Sequence, residues 1–166
     1  MADIVDAPTR SRMMRGIRGK NTRPEMAIRR ALHARGLRFR LHDRKLPGAP
    51  DLVFAKFRAV IFVHGCFWHG HGCHMFRWPA TRAAFWRAKI SHNQEVDARA
   101  ASALLGDGWR VAEVWECALR GRRRQSINDI AATLAAWLAS DAPRLEIPDA
   151  SDIGLDDEAA FDDDLS

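Results

Sequence analysis

Residues 64–74 read His-Gly-Cys-Phe-Trp-His-Gly-His-Gly-Cys-His and hold four of the chain's seven histidines and two of its three cysteines. Cys66, His71 and Cys73 form a compact nitrogen and sulfur set, and Cys117 lies further along the chain. Two thiolates and an imidazole from one loop, completed by a distant thiolate, make a Cys3His set suited to tetrahedral zinc. Gly65, Gly70 and Gly72 let the backbone wrap closely around an ion. The spacing is not that of a common zinc finger, and free thiols are the alternative. A closed four-ligand site has no open position for substrate, so such a zinc holds the loop rather than cleaving anything. His64 and His69 are then left for proton transfer, because an ordinary imidazole titrates near neutrality. The competing reading is that they are satisfied or solvent-exposed loop residues. His33, His42, His74 and His92 belong to no visible constellation.

Asp51 follows Pro50 at the start of a short apolar run. An acid there, beside a second run ending in His64, is able to hold a divalent ion against a phosphate. Alone it would be turn chemistry. Together with His64, His69 and a basic body it suggests phosphodiester hydrolysis. Phe67 and Trp68 sit inside the histidine loop and have two readings. They pack beneath it, or they project as wedges that unstack bases. Trp86 has basic neighbours, whereas Trp109, Trp115 and Trp137 fall on periodic elements and read as core. Arg120-Gly121-Arg122-Arg123-Arg124 is either a solvated turn or a phosphate clamp.

These groups need a scaffold. Met13, Met14 and Ile17 are spaced for one face of a short helix. Thr22, Pro24 and Glu25 read as a helix start, with the helix running to about residues 33–35 and stopping at Gly36. Residues 46–50, Leu-Pro-Gly-Ala-Pro, are a turn. Residues 52–54 and 59–63 read as a hairpin whose second strand is the more buried. Residues 80–105 read as helix, broken near Ser91 and ended by Gly106. Residues 109–115 read as a third strand. Ser126 and Asp129 make a capping-box-like start for a last helix through Trp137. The order implies a small mixed α/β domain with its sheet flanked by helices.

The net charge of +5 hides an asymmetry. Residues 141–166 hold ten acids against Arg144 alone, which leaves residues 1–140 at +14. A body this basic reads as one that faces a polyanion, because neutralising phosphates releases counterions, and a merely soluble basic surface is the alternative. The expected organisation is a basic segment over 1–20, a folded domain over 21–140 and a flexible acidic tail over 141–166, the first two being, on the resemblance given below, a DNA-contacting segment and a nuclease domain. No apolar stretch approaches the length of a transmembrane helix. The N-terminal residues lack a secretory h-region, so a reducing cytoplasm is expected, with the chain at the nucleoid when acting.

Five blocks carry a resemblance: TRSRMMRGI, LPGAPDLVF, RAVIFVHGCFWHGHGC, PATRAAFW and GWRVAEVWECALRGR. In this order, over roughly residues 8–140, they resemble the very-short-patch mismatch repair endonucleases of bacteria. The resemblance implies a restriction-endonuclease-like α/β core that nicks double-stranded DNA beside a T·G mismatch left by deamination of 5-methylcytosine. It implies Mg²⁺ on Asp51 and the main-chain carbonyl of Val63, with His64 and His69 at the active site and Glu25 in support. It implies structural Zn²⁺ on Cys66, His71, Cys73 and Cys117. Phe67, Trp68 and Trp86 match aromatic residues that enter the DNA, and Met14 and Ile17 match a segment approaching from the other groove. Lys89 and Asn93 complete the candidate DNA-contacting set. Val63 stands where a family member has threonine, which a main-chain ligand tolerates. The usual acid–x–Lys of PD-(D/E)xK nucleases is missing after Asp51, a deviation for which the family is known. A one-strand nick needs only a monomer, and other mismatch repair proteins are candidate partners. Two alternatives stay open: a restriction-type nuclease with another target, and a non-catalytic zinc-stabilised DNA-binding module.

Overall fold

The computed structural model describes residues 21–148. Met14 and Ile17, and the rest of the expected N-terminal segment, lie outside the described residues.

Thr22 caps the first helix, α1 (Arg23–Ala34), by accepting a hydrogen bond from the Glu25 amide, and Pro24 lies in its first turn where no amide is needed. Gly36 ends it in the left-handed region, at φ +85°. Its apolar stripe, Ile28 and Leu32, is fully buried. A two-residue strand that the sequence pattern did not reveal, β1 (Arg40–Leu41), comes next. The 46–50 turn then delivers the chain to β2 (Leu52–Phe54), which pairs antiparallel with β3 (Ala59–His64) across a single 3-10 turn. This is the expected hairpin, with the difference that all three residues of β2 are buried, so β3 is not the better covered strand.

Residues 83–106 form one unbroken helix, α2 (Ala83–Gly106), and the expected break at Ser91 does not occur. Ser91 is exposed, so its hydroxyl has no need to compete for the helix backbone, and neither Gly nor Pro interrupts the run before Gly106. The helix is a crossover that returns the chain to β4 (Arg110–Trp115), parallel to β3. A four-residue turn of helix, α3 (Glu116–Leu119), follows at once. The last helix, α4 (Ile127–Leu138), starts as expected, with Ser126 Oγ accepting from the Asp129 amide. Residues expected in the acidic tail then form β5 (Arg144–Ile147), parallel to β4, so the sheet extends past residue 140. The period-two signal of four residues, two of them charged, is too weak to stand out from an acidic background. Residues beyond 148 lie outside the described part.

The five strands lie in the order β1-β2-β3-β4-β5, antiparallel at one side and parallel at the other. One face is covered by α1 and α4, whose Ile28, Leu32, Ile130, Leu134 and Leu138 meet Leu52, Phe54, Ile61, Ala112 and Val114 in the main core. The other face packs Val53, Val60, Phe62 and Val111 against Leu104 of α2. Because β3 and β4 run in register, His64 and Trp115 emerge side by side at their C-terminal ends. Among the described residues no helix is long and apolar enough to cross a membrane.

Candidate active site

The C-terminal ends of the two parallel strands and the loop after β3 gather three clusters of ligand-type side chains. In the first, donor atoms of Cys66, His71, Cys73 and Cys117 all lie within 4.8 Å of one another. His71 Nδ1 is 3.6 Å from the Cys66 sulfur and 3.5 Å from that of Cys117. A tetrahedral ion with ordinary zinc bond lengths would set sulfur and nitrogen about 3.6 Å apart, which these two spacings match. Cys117 reaches the loop because β4 ends beside β3, and its amide donates to the Cys66 sulfur at 3.3 Å. The three cysteines are free thiols. Contact with Cys66, then burial, pushes the Cys117 thiol up, and burial does the same to Cys73. Such crowding favours a cation among the sulfurs. The His71 ring stacks on Trp115 at 4.1 Å, which orients it.

The second cluster is Glu25, His42 and Asp51. Asp51, at the entrance to β2, accepts a hydrogen bond from the Val63 amide on β3 at 2.7 Å. Glu25 is 1% exposed and accepts from the Asn21 amide and from Arg29, while His42 Nε2 lies 2.7 Å from its other oxygen. The same nitrogen is 3.8 Å from Asp51. Burial and the neighbouring Glu25 carboxylate raise the Asp51 carboxyl to about 8, against the opposing pull of the Val63 amide. Burial also pushes Glu25 upward, but its hydrogen bonds with Asp51, His42 and Asn21 outweigh this and set it below the usual value. Two carboxyls in one buried place hold a proton that a divalent ion would displace, which is the fit expected of a metal-binding acid pair.

His64, His69 and Asp97 form the third cluster. His64 is 6% exposed, and burial followed by the nearby His69 lowers it to about 3, so it is neutral. Its ring centroid lies 4.2 Å from that of His69 and 5.0 Å from that of Trp115. His69 Nδ1 is hydrogen-bonded to Asp97 Oδ2, which leaves Nε2 as the free nitrogen. A cleft of about 410 Å³ joins the second and third clusters, with Asp51, Val63, His64, His69 and Asp97 all on its wall. A smaller hollow of about 270 Å³ lies on the other side of His69, beside Glu113 and Trp115.

Asp97 and His42 were not anticipated, and His42 does have a constellation. Asp97 was legible in principle. Trp86, Ile90, Asp97, Ala101 and Leu104 recur at helical spacing, and a lone acid on a stripe that is otherwise buried calls for a partner. His42 gave no such signal, because it meets Glu25 only through the tertiary fold.

The aromatic candidates cluster. Phe67 lies 5.2 Å from Trp68 and 5.3 Å from Trp86, and Trp68 lies 5.9 Å from Trp86, ring centre to ring centre. Trp86 is buried at the base while Phe67 and Trp68 are half-buried, and Phe85 and Trp78 are exposed nearby under Arg82 and Arg87. Lys89 is exposed. Asn93 donates its amide to the Trp68 carbonyl at 2.8 Å and so pins the loop to α2.

Comparison with known proteins agrees with this arrangement. A family profile described as DNA mismatch endonuclease Vsr matches residues 2–75. The chain is 46% identical over 147 residues to the DNA mismatch endonuclease Vsr of Escherichia coli, covering 89% of this chain and 94% of that one. It is 51% identical over 119 residues to the type II nicking enzyme V.XorIIP of Xanthomonas oryzae pv. oryzae, covering 72% and 88%. With the type II nicking enzyme V.NmeAIP of Neisseria meningitidis it shares 39% over 130 residues, covering 77% and 93%. Identity of that order along most of both chains settles the ancestry of the cleft and its loop: the chain belongs to the Vsr family of DNA mismatch endonucleases.

Proposed function

We propose that this protein nicks one strand of duplex DNA beside a T·G mismatch, by Mg²⁺-dependent phosphodiester hydrolysis on a restriction-endonuclease-like core. The observation that carries the reading is the convergence of Asp51, Val63, His64 and His69 on one cleft in a chain of this family. Asp51 and the Val63 carbonyl would hold the Mg²⁺, with Glu25 in support through its hydrogen bond with Asp51. The ion's chemistry, when bound, is to stabilise charge growing on the phosphate and the leaving oxygen. His69 takes the proton of the attacking water at Nε2, because Asp97 fixes the hydrogen of Nδ1 and steadies the imidazolium that forms. Neutral His64 donates to the phosphate without adding a charge that would repel His69. Zn²⁺ on Cys66, His71, Cys73 and Cys117 would hold the loop that follows His64 and carries His69.

Discrimination rests on Phe67 and Trp68 as wedges, with Trp86 as the aromatic base on which they pack. A wobble pair unstacks more easily than a matched pair, so insertion costs less there. Met14 and Ile17 approach from the other groove, and Lys89 meets the backbone. One copy of the chain suffices for one cut. The test is a nicking assay with Mg²⁺ on duplexes identical except for a central T·G, T·A or C·G pair, in several sequence contexts. One nick, on the T-bearing strand of the T·G duplex only, is expected. Equal cutting of matched DNA would identify a restriction-type nuclease with another target, and binding without cutting a non-catalytic module.

A further inference from the structure

We propose that His64, His69 and Asp97 form a third cation site, which takes a borderline transition ion such as Zn²⁺ in preference to Mg²⁺, and that its occupancy shuts the active site. The inference rests on the reading of His69 as the base. Four observations carry it. Donor atoms of the three side chains lie within 4.8 Å of one another, the spacing of ligands around one ion. His64 is almost fully buried among the rings of His69 and Trp115 yet lines both the cleft and the hollow, so an ion at this point would meet an imidazole already held in place. The trio forms the partition between the 410 Å³ cleft and the 270 Å³ hollow, so an ion and its waters reach it from either side. Finally, the ligand chemistry is opposite to that of the Asp51 cluster. Two imidazoles and one carboxylate suit zinc, cobalt or nickel, whereas a pair of carboxylates with a carbonyl suits Mg²⁺.

The two sites therefore sort ions by softness while lying on one wall. An ion held by His69 removes the lone pair that would accept the water proton. It also draws Asp97 away from its orienting role, so the Mg²⁺ site stays intact while proton transfer stops.

The test begins with protein whose Cys3His cluster is filled with zinc, titrated with Co²⁺ and followed by visible absorption. A second equivalent whose spectrum lacks thiolate charge-transfer bands is expected in the wild-type chain. It should vanish in Asp97→Asn and in His69→Gln and persist in Glu25→Gln. Zn²⁺ added to a nicking reaction with excess Mg²⁺ should then abolish cleavage at the same stoichiometry. Binding of no second ion, or a second ion lost in Glu25→Gln and retained in Asp97→Asn, overturns the proposal. The two readings also separate. A chain that nicks but binds no second ion keeps the nuclease and loses the site. One that binds the second ion through Asp97 but nicks nothing keeps the site and loses the nuclease.

Discussion

Asp51 is the residue where burial has the plainest consequence. Its carboxyl is raised to about 8, from an ordinary value near 4, by desolvation and by Glu25. The folded, metal-free protein therefore keeps a proton that the unfolded chain has already released above pH 4. Stability from this group is fully present below that pH and is lost as pH rises toward 8. Thermal unfolding of metal-free protein should show melting temperature falling over pH 4–8, with a shallower fall in Asp51→Asn. Added Mg²⁺ should remove most of the wild-type slope by replacing the proton. In the nicking assay Asp51→Asn should lose cleavage and keep DNA affinity, measured by gel shift. An equal slope in both proteins would show that the acid pair is not the source. At this scale the sequence was generous with the loop, where His64, His69 and three of the four zinc-type ligands stand in one short segment, with only Cys117 coming from after β4. It was silent about His42, because a contact between residues 25 and 42 across the head of α1 leaves no periodic trace.

Among the elements, the turn before β2 is the most sharply constrained. Gly48 has φ +76°, and a methyl group there would sit 2.8 Å from Ala100 Cβ and 3.1 Å from the Phe62 ring. Gly48→Ala thus combines left-handed strain with overpacking between the turn, β3 and α2. It should lower stability by about 2–4 kcal/mol. Gly36, at φ +85° with nothing within 4 Å, offers the contrast. Gly36→Ala should cost only the strain, about 1 kcal/mol. Urea denaturation of both variants measures the difference, and equal losses would mean that the packing beside Gly48 yields. The strong helix signals were legible because they are chemical and local. Thr22 and Ser126 each cap as their side chains require. The expected break at Ser91 is absent because Ser91, His92 and Gln94 lie on the solvated side of one long helix. β1 and β5 were missed because strands of two and four residues, on the flanks of a sheet, are defined by their neighbours.

For the whole molecule the boundary at residue 140 has to move. β5 contributes Ile147 to the main core, and Glu146 accepts the Trp115 indole hydrogen at 2.9 Å. Ending the chain at residue 140 should therefore destabilise the fold, by about 2 kcal/mol for the loss of Ile147 burial alone. Ending it at 148 should leave the melting temperature near that of the full chain. Equal melting of the two shortened chains would show that β5 is dispensable. The charge asymmetry survives this revision, because Asp141, Arg144 and Glu146 together add only −1 and leave residues 1–148 at +13.

The unbroken course of α2 has a mechanical side. Trp86 in the aromatic patch and Asp97 on the His69 imidazole are stations on one rod, eleven residues and about 16 Å apart along its axis. Neither moves along that axis without carrying the other. Under the proposed function, whatever tilts the patch as it meets a base pair also sets the reach of Asp97 toward His69. Sensing and attack then share a single degree of freedom, and a flexible joint inserted between the stations would uncouple them while leaving each intact.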